Sequence, residues 1–424
     1  MVNTKQPARL VRHIGLGHGV ALYVSAVLGA GVLVLPGQVA SMAGPASLLS
    51  WVFACVMGVP LAWMFAALAR RHPDAGGVAT YVGRAFGPAV GGLTGWLYFA
   101  AGSVGQTVVP LTGGYYVADA LGLGPGGAFA VAGAILAAAV AANLAGARVS
   151  SRAQVVLATG VATALVVAIL AAAPRMSVDR LTPFAPHGFA AVGAGVIVLF
   201  FAFAGWEAVG HLAGEFRDPD RDLPRAVAAT VAIVTVLHLG VAAAVVLTGT
   251  YGSERVDHVA IGLLLRGALG GAAAPVAAVV AVVISLGTTS AFIAGVSRLG
   301  LSLAEQGWLP RPVARIHRTG VPVGGIVAVG LVAAGGLALA AALGWGTETL
   351  VVTPSTLVVA VYLLAAAAGA RLLRGAPRFC AVATIVLTAL VVPTAAENVL
   401  IPVVVVVLAV ACRWVVARAA TDRV

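Results

Sequence analysis

The chain has 424 residues, of which 61% are hydrophobic and only 9% are charged, and its formal net charge is +11 at pH 7. Soluble domains carry about 25% charged residues, so this composition excludes an ordinary soluble protein and indicates an integral membrane protein. The basic residues lie in short clusters between apolar runs, and not along one face of a domain, which argues against a nucleic-acid-binding protein.

Residues 1–14 form a basic segment that we expect to be a cytoplasmic N-terminus. The apolar stretch that follows, from about Leu16 to Ala43, is longer than the core of a signal peptide and lacks its cleavage pattern. We interpret it as the first spanning helix. It contains Gly29-Ala-Gly31, where the backbone is expected to unwind. Lipid cannot satisfy the freed backbone groups, so such a break persists only inside protein or beside a polar cavity.

Runs of about 20 apolar residues are needed to cross a bilayer. The sequence predicts twelve, at residues 15–43, 46–70, 90–119, 127–146, 151–173, 190–214, 223–249, 273–302, 322–343, 348–370, 378–395 and 397–416. With the N-terminus inside, all but four of the 25 basic residues fall on the cytoplasmic side, the exceptions being Arg175, Arg180, Arg255 and Arg266. This follows the positive-inside rule. Both termini, including the tail 417–424, are therefore predicted to be cytoplasmic, and the plasma membrane is the expected location.

A second interruption lies in the sixth predicted span, in the sequence from Phe200 to Gly210, which is rich in Phe and Gly. The interrupted spans are the first and the sixth, so the repeat has five helices and its second copy enters the membrane from the opposite side. We therefore predict an all-α membrane fold of twelve transmembrane helices, with inverted repeats at 15–173 and 190–370 and two appended helices at 378–416. Paired broken helices are typical of secondary-transporter substrate sites.

The break in the first span suits a zwitterionic ligand. Amides after Gly29-Ala-Gly31 begin a half-helix, Val32 onward, whose positive end favours a carboxylate. The carbonyls that end the preceding half-helix favour an ammonium group. An α-amino acid carries both charges close together, so backbone alone could bind it. The alternative is a glycine pair that serves only close helix packing; the matching break in the sixth span favours the binding interpretation.

Glu207 is the acidic residue predicted at mid-membrane depth, where carboxylates are costly and usually functional. Three roles are open: a proton-coupling group, a structural acceptor that ties the sixth span to another helix, or a direct contact for the substrate amine. His211 follows four residues later on the same helical face. It could relay protons with Glu207 or form a hydrogen bond within the helix.

The remaining polar residues predict no metal site and no cofactor. Cys55, Cys380 and Cys412 stand singly in or beside apolar runs, and we interpret them as packing thiols. His238 is interpreted as a satisfied core histidine. The hydroxyls of Ser285–Ser290 are expected to bond back to helix carbonyls, which makes sodium coupling the less favoured alternative.

The cytoplasmic loop Glu215–Arg225 carries charges of both signs. Asp222 is predicted to cap the seventh helix, with Pro224 in its first turn. The charged residues could form an inner gate network or a solvated turn that anchors the helix at the membrane surface.

Three segments together resemble the amino acid–polyamine–organocation transporter superfamily. They are Gly29-Ala-Gly-Val32 with Pro36, the loop Pro73–Gly87, and the block Gly205–Pro219. The resemblance covers essentially the whole chain. Within the superfamily, the block in the sixth span is most similar to bacterial exporters of methionine and branched-chain amino acids.

The resemblance implies the fold of the leucine transporter and a set of site residues. The substrate carboxylate would meet amides at Ala30, Gly31 and Val32, and the amine would meet carbonyls near Ser25 and Phe201. The substrate site would also include Gly29, Ala204 and Gly205, with gating or proton coupling at Phe201, Trp206, Glu207 and His211. The fifth span has no intramembrane lysine, so the lysine-dependent coupling of some relatives is in doubt.

The expected function is export of neutral, mostly apolar amino acids such as methionine, leucine, isoleucine and valine. Protons or exchange would drive it, and uptake by the same fold is the near alternative because alternating access is reversible. A polyamine substrate is disfavoured, since Glu207 is the site's only unpaired acid. A channel or a membrane enzyme lacks support from polar rings or clustered catalytic groups. The expected partners are the amino acid, protons and the lipid bilayer, with no nucleic acid.

Overall fold

A computed structural model describes residues 15–72, 77–146, 151–207 and 216–421, and within these ranges the regular elements are all helices. Residues 73–76 and 208–215, which include His211 and part of the resembling segments, lie outside the described residues. The α-helices in chain order are α1 Leu16–Val27, α2 Gly31–Ala43, α3 Ser47–Arg71, α4 Gly77–Phe86, α5 Pro88–Leu121, α6 Pro125–Leu144, α7 Ser151–Ala172, α8 Ala190–Leu199, α9 Pro219–Thr248, α10 Glu254–His258, α11 Ala260–Leu269, α12 Ala273–Glu305, α13 Val323–Leu343, α14 Thr347–Leu350, α15 Val352–Leu372, α16 Ala376–Val391 and α17 Leu400–Thr421.

In the part of the chain that the structure describes, nine helical segments are long and apolar enough to cross a membrane. The sequence predicts twelve spans, and the described helices differ from that prediction in three places. The apolar run Gly31–Arg71 is continuous through a short 3₁₀ turn, so two predicted spans merge into one segment. The helices α1 and α8 are short because each ends at a break. The 34-residue helix α5 is rich in glycine and hydroxyl side chains and falls below the apolar composition of the nine.

Helix α5 lies at the centre of the bundle and packs against α4, α6, α12 and α15. Its glycines permit this crowding. A methyl group added at Gly92 would lie 2.0 Å from the ring of Trp308, and one at Gly102 would lie 2.5 Å from Val296. Small residues of this kind let transmembrane helices approach closely where lipid provides no hydrophobic driving force. The last helix differs, because only 6% of its apolar window is buried in the protein.

The junction before α9 departs from the sequence prediction. The cap is Asp218, whose side chain accepts a hydrogen bond of 3.2 Å from the backbone N–H of Arg221, and not Asp222, which lies in the first helical turn. Pro219 fixes the start of the helix one turn earlier than expected, because proline suits the first helical position. Arg70 at the end of α3 forms an ion pair with Asp220, and both side chains are exposed. Such a pair contributes about 0–1 kcal/mol, as expected of a solvated turn.

Candidate functional site

The first span breaks between α1 and α2. Leu28 leaves helical geometry at φ −81° and ψ 56°, and α2 begins at Gly31, one residue before the predicted start. Among the described residues, the N–H groups of Gly29, Ala30 and Gly31 have no hydrogen-bond partner. The N–H of Val32, by contrast, donates to the carbonyl of Gly29 at 3.3 Å. The break therefore presents three unpaired amides at the positive end of a helix.

The second break follows α8, where residues 200–207 form successive turns. Gly205 has φ +134°, a conformation that residues with a side chain rarely adopt. A Cβ atom added to it would lie 2.4 Å from the carbonyl oxygen of Ala26. A Cβ added to Gly31 would in turn lie 3.5 Å from the Cα of Ala202. The two broken spans thus cross in backbone contact.

A small cavity lies at this crossing, with about 40 Å³ of free space. Five of the predicted site residues line it: Gly29, Ala30, Gly31, Phe201 and Ala204. Its other lining residues are small or apolar for the most part, and none carries a charge: Ala26, Val27, Tyr98, Ala101, Gly102, Gly105, Gln106, Val109, Ala202, Thr288, Phe292, Pro354 and Val358. The free space suits one or two water molecules, so an amino acid would require the surrounding side chains to move.

Phe201 is the predicted aromatic gate. Its ring lies between α2 and α5. The ring is 3.4 Å from a Cβ added at Gly31 and 3.3 Å from one added at Gly105. Other predicted residues lie beside the cavity without lining it. Ser25 is half-buried within α1, Val32 is buried in the first turn of α2, and Trp206 is buried near Gly58 of α3.

Glu207 is buried and accepts three hydrogen bonds. The hydroxyls of Tyr98 from α5 and Tyr362 from α15 each donate to its carboxylate, and the N–H of Gly205 donates at 3.0 Å. Tyr362 is also within 3.2 Å of the carbonyl of Phe203. One carboxylate therefore holds the unwound stretch against two other helices. Within the described residues it has no cationic partner.

Several residues of this site have no recognisable signal in the sequence. Tyr98 and Tyr362 belong to spans that gave no local signal, although a tyrosine in a spanning helix can act as a hydrogen-bond donor. Gln106 stands out as an amide in the apolar surroundings of α5. Its Nε2 donates to the carbonyl of Gly102 at 3.1 Å, while its buried Oε1 has no partner among the described residues.

Two interpretations of buried polar residues were wrong. His238 packs its ring between Trp51 and Phe203, at centroid distances of 5.1 Å and 5.3 Å, and neither ring nitrogen has a hydrogen-bond partner in the described part of the chain. The hydroxyls of Ser285 and Thr289 also lack partners there, instead of bonding back to their helix. Ser285 turns its hydroxyl toward α5, within 2.9 Å of a Cβ added at Gly113.

The amino-acid sequence of the chain matches a known protein family. The family model described as amino acid permease matches residues 17–418. The chain belongs to the amino acid permease family. This confirms the resemblance drawn from the sequence, and the family is one of multi-pass membrane transporters and not of enzymes.

Individual amino acid permeases extend the comparison. The chain is 32% identical over 367 residues to the amino acid permease YecA of Bacillus subtilis, covering 86% of each chain. It is 30% identical over 382 residues to the L-methionine/branched-chain amino acid exporter YjeH of Escherichia coli, covering 88% of this chain and 89% of that one. The branched-chain amino acid permease BcaP of Bacillus subtilis is 27% identical over 338 residues, covering 73% and 70%.

Proposed function

We propose that this amino acid permease transports neutral, apolar L-amino acids, with methionine, leucine, isoleucine and valine as its substrates, and that it exports them by alternating access. Its architecture would be twelve transmembrane helices, arranged as two inverted five-helix repeats and two appended helices, with both termini cytoplasmic. Transport would be driven by a proton gradient or by exchange. The regions 15–173, 190–370 and 378–416 would be the two repeats and the appended pair.

One observation carries this proposal: three unpaired amides, at Gly29, Ala30 and Gly31, lie beside a cavity where two broken helices cross. Unpaired buried N–H groups are costly, and a ligand carboxylate would satisfy them at the positive end of α2. The carbonyls at the end of α1 offer acceptors for the ammonium group on the other side of the break. Ala26, whose carbonyl oxygen lies closest to Gly205, is one of these residues.

The side-chain preference follows from the rest of the lining. Val27, Val109, Phe292 and Val358 give the cavity an apolar wall, and no charged residue lines it. A cationic side chain or a polyamine would lose its hydration there without gaining an ion pair. The names of YjeH and BcaP, which specify methionine and branched-chain amino acids, support the same class of substrate.

Counterflow in proteoliposomes tests the proposal directly. We expect purified protein to accumulate radiolabelled leucine and methionine against an internal pool of the same amino acid. Repeating the measurement with an imposed proton gradient distinguishes proton coupling from exchange. Arginine and putrescine serve as comparison substrates. Robust transport of either one, with no accumulation of leucine or methionine, would contradict the proposed substrate class.

Gln106 provides a test of the ammonium position. We expect its unpaired Oε1 to accept a hydrogen bond from the substrate ammonium, because it is a free acceptor on the cavity wall. A hydrogen bond to a charged group contributes about 1.5–3 kcal/mol, so the Gln106→Leu variant should raise KM at least tenfold. The maximal rate should change much less.

The matched control is Gln306→Leu, which removes an exposed amide that donates to Ser302 at 3.0 Å, far along the same bundle. It should leave KM for leucine unchanged. An equal KM for the Gln106→Leu variant and the unmodified protein would show that Gln106 does not contact the substrate.

A further inference from the structure

A second cluster of polar groups lies where α10 meets α14, outside the residues that line the cavity. The possible ligand atoms of Glu254, His258 and Glu348 all lie within 4.8 Å of one another. Glu254 and His258 are four residues apart on the single turn of α10, a spacing that places both on one side. Glu348 comes from α14, 90 residues after His258. This distance in sequence explains why the pattern of residues predicted no metal site.

Neighbouring groups fix the orientation of the two central side chains. The imidazole of His258 is buried and stacks on the ring of Tyr115 at 3.7 Å, with 5° between the planes. Its Nε2 lies 3.1 Å from Oε2 of Glu348. The other oxygen of Glu348 accepts a hydrogen bond of 3.1 Å from the N–H of Gly346. Metal ligands are commonly held in place by such surrounding contacts.

We propose that Glu254, His258 and Glu348 form a binding site for a divalent transition-metal ion of the zinc type. One imidazole nitrogen and two carboxylates are ligands that Zn²⁺ accepts at about 2.0–2.2 Å, with water completing a tetrahedron. The ion would take the place of the proton between Nε2 of His258 and Glu348. Glu254 is exposed, so its side chain is free to close the remaining distance. Calcium and magnesium prefer six or more oxygen ligands, which these three residues do not supply.

The excess of acidic side chains around α10 favours the binding of a cation. Arg255 lies on the same turn, but its guanidinium binds Asp119 of α5 at 2.8 Å and so does not neutralise the cluster. Asp257 adds a further acidic group beside His258. Its carboxylate accepts hydrogen bonds from the hydroxyl of Ser41 and the N–H of Gly252. The cluster therefore keeps an excess of negative charge, which raises the local concentration of cations.

The position of the site suggests what the ion would do. Helix α10 is seated on α2, where a Cβ added at Gly37 would lie 2.6 Å from the carbonyl oxygen of Asp257. An ion shared by α10 and α14 would add a link from this segment to the helix that begins the tenth predicted span. In the topology proposed above this is the outer face. The consequence for transport rests on that proposal: outer zinc would hold α10 and α14 together and slow transport.

Binding is measured first, on the purified full-length protein in detergent, by titration calorimetry with ZnCl₂. We expect one Zn²⁺ per chain with micromolar affinity, and no binding of MgCl₂ at the same site. Glu254→Gln should weaken zinc binding at least tenfold, since it removes one of three ligands. His258→Gln should weaken it further. Because Glu254 is exposed and makes no hydrogen bond within the described residues, Glu254→Gln tests the site without disturbing the fold.

The matched controls are His187→Gln and Glu397→Gln, which remove an exposed imidazole and an exposed carboxylate elsewhere on the chain. Both should bind zinc like the unmodified protein. Unchanged affinity in Glu254→Gln and His258→Gln, or no binding by the unmodified protein below the millimolar range, would overturn the site.

Counterflow of leucine with external ZnCl₂ then tests the effect on transport. We expect slower transport in the unmodified protein and no effect of zinc in the Glu254→Gln variant. If zinc binds through Glu254 but does not slow transport, the proposed effect of zinc on transport is wrong, while the binding site itself remains supported. Calorimetry needs no substrate, so a failure of the proposed amino acid transport would not be mistaken for a failure of the metal site.

Discussion

Replacing Gly205 by alanine is expected to reduce amino acid transport at least 100-fold. The added Cβ would lie 2.4 Å from the carbonyl oxygen of Ala26, where no flexible side chain can move aside. The φ of +134° adds a backbone cost, because left-handed and related conformations cost alanine about 1–2 kcal/mol. Together these should exceed about 2.7 kcal/mol, which would lower the population of the conformation with crossed breaks about 100-fold. Initial rates of leucine counterflow, normalised to the amount of reconstituted protein, measure the effect.

Gly133→Ala is the matched control for this prediction. Gly133 lies in the middle of α6, and a Cβ added there meets no atom within 4 Å. In a helix, alanine is also more favourable than glycine by about 1 kcal/mol. Its transport should equal that of the unmodified protein. Transport within threefold of normal for Gly205→Ala would show that the two breaks can separate without loss of function.

The Glu207→Gln variant should lower transport by about ten- to 100-fold and leave the pH dependence of the remaining transport unchanged. A carboxylate accepts from Tyr98, Tyr362 and the N–H of Gly205 together, whereas a carboxamide turns a donor toward one of these three donors. A buried donor or acceptor without a partner costs about 1–3 kcal/mol. Leucine counterflow over a range of pH measures both the size of the loss and the shape of the pH profile.

Two comparisons sharpen this result. Tyr98→Phe and Tyr362→Phe each remove one donor and should cause a smaller loss than Glu207→Gln. Glu305→Gln, at the exposed end of α12, is the matched control and should have no effect. Three roles were left open for Glu207: proton coupling, a structural acceptor and a contact for the substrate amine. The three donors around its carboxylate support the structural role. A flat pH profile in the Glu207→Gln variant, where the unmodified protein is pH-dependent, would instead assign the coupling proton to Glu207.

Some features of the candidate site have a local signature in the sequence. The Gly29-Ala-Gly31 pair predicted a break in the first span, and α1 ends at Val27, just before it. Glycine alone does not decide this, because α5 stays helical through several glycines. The resemblance placed Phe201 and Glu207 in the second break, and Phe201 lines the cavity. A carboxylate inside an apolar run is also visible in sequence, because ionisable residues are rare at membrane depth and are usually functional there.

Features made by distant residues were not predictable in this way. The two tyrosine donors to Glu207 lie 109 and 155 residues away, and no local pattern connects them to it. The sequence led us to expect a His238 side chain with hydrogen-bond partners. In the described part of the structure it lies between two aromatic rings and has no polar partner. The capping residue of α9 was misplaced because three aspartates lie close together, at Asp218, Asp220 and Asp222, and only the backbone geometry selects Asp218.

The last helix has a further consequence. With 6% of its apolar window buried, α17 packs on α5 and α15 along a narrow face and leaves most of its side chains on the outside of the bundle, where lipid would surround them. Lipid tails accept any side chain of sufficient hydrophobicity, whereas a packed interior rejects a change of a single methyl group. Mutations in α17 should therefore accumulate freely during evolution as long as they remain apolar, while α5 should change slowly. The rate of sequence divergence along the chain would then trace the boundary between lipid-facing surface and transport machinery.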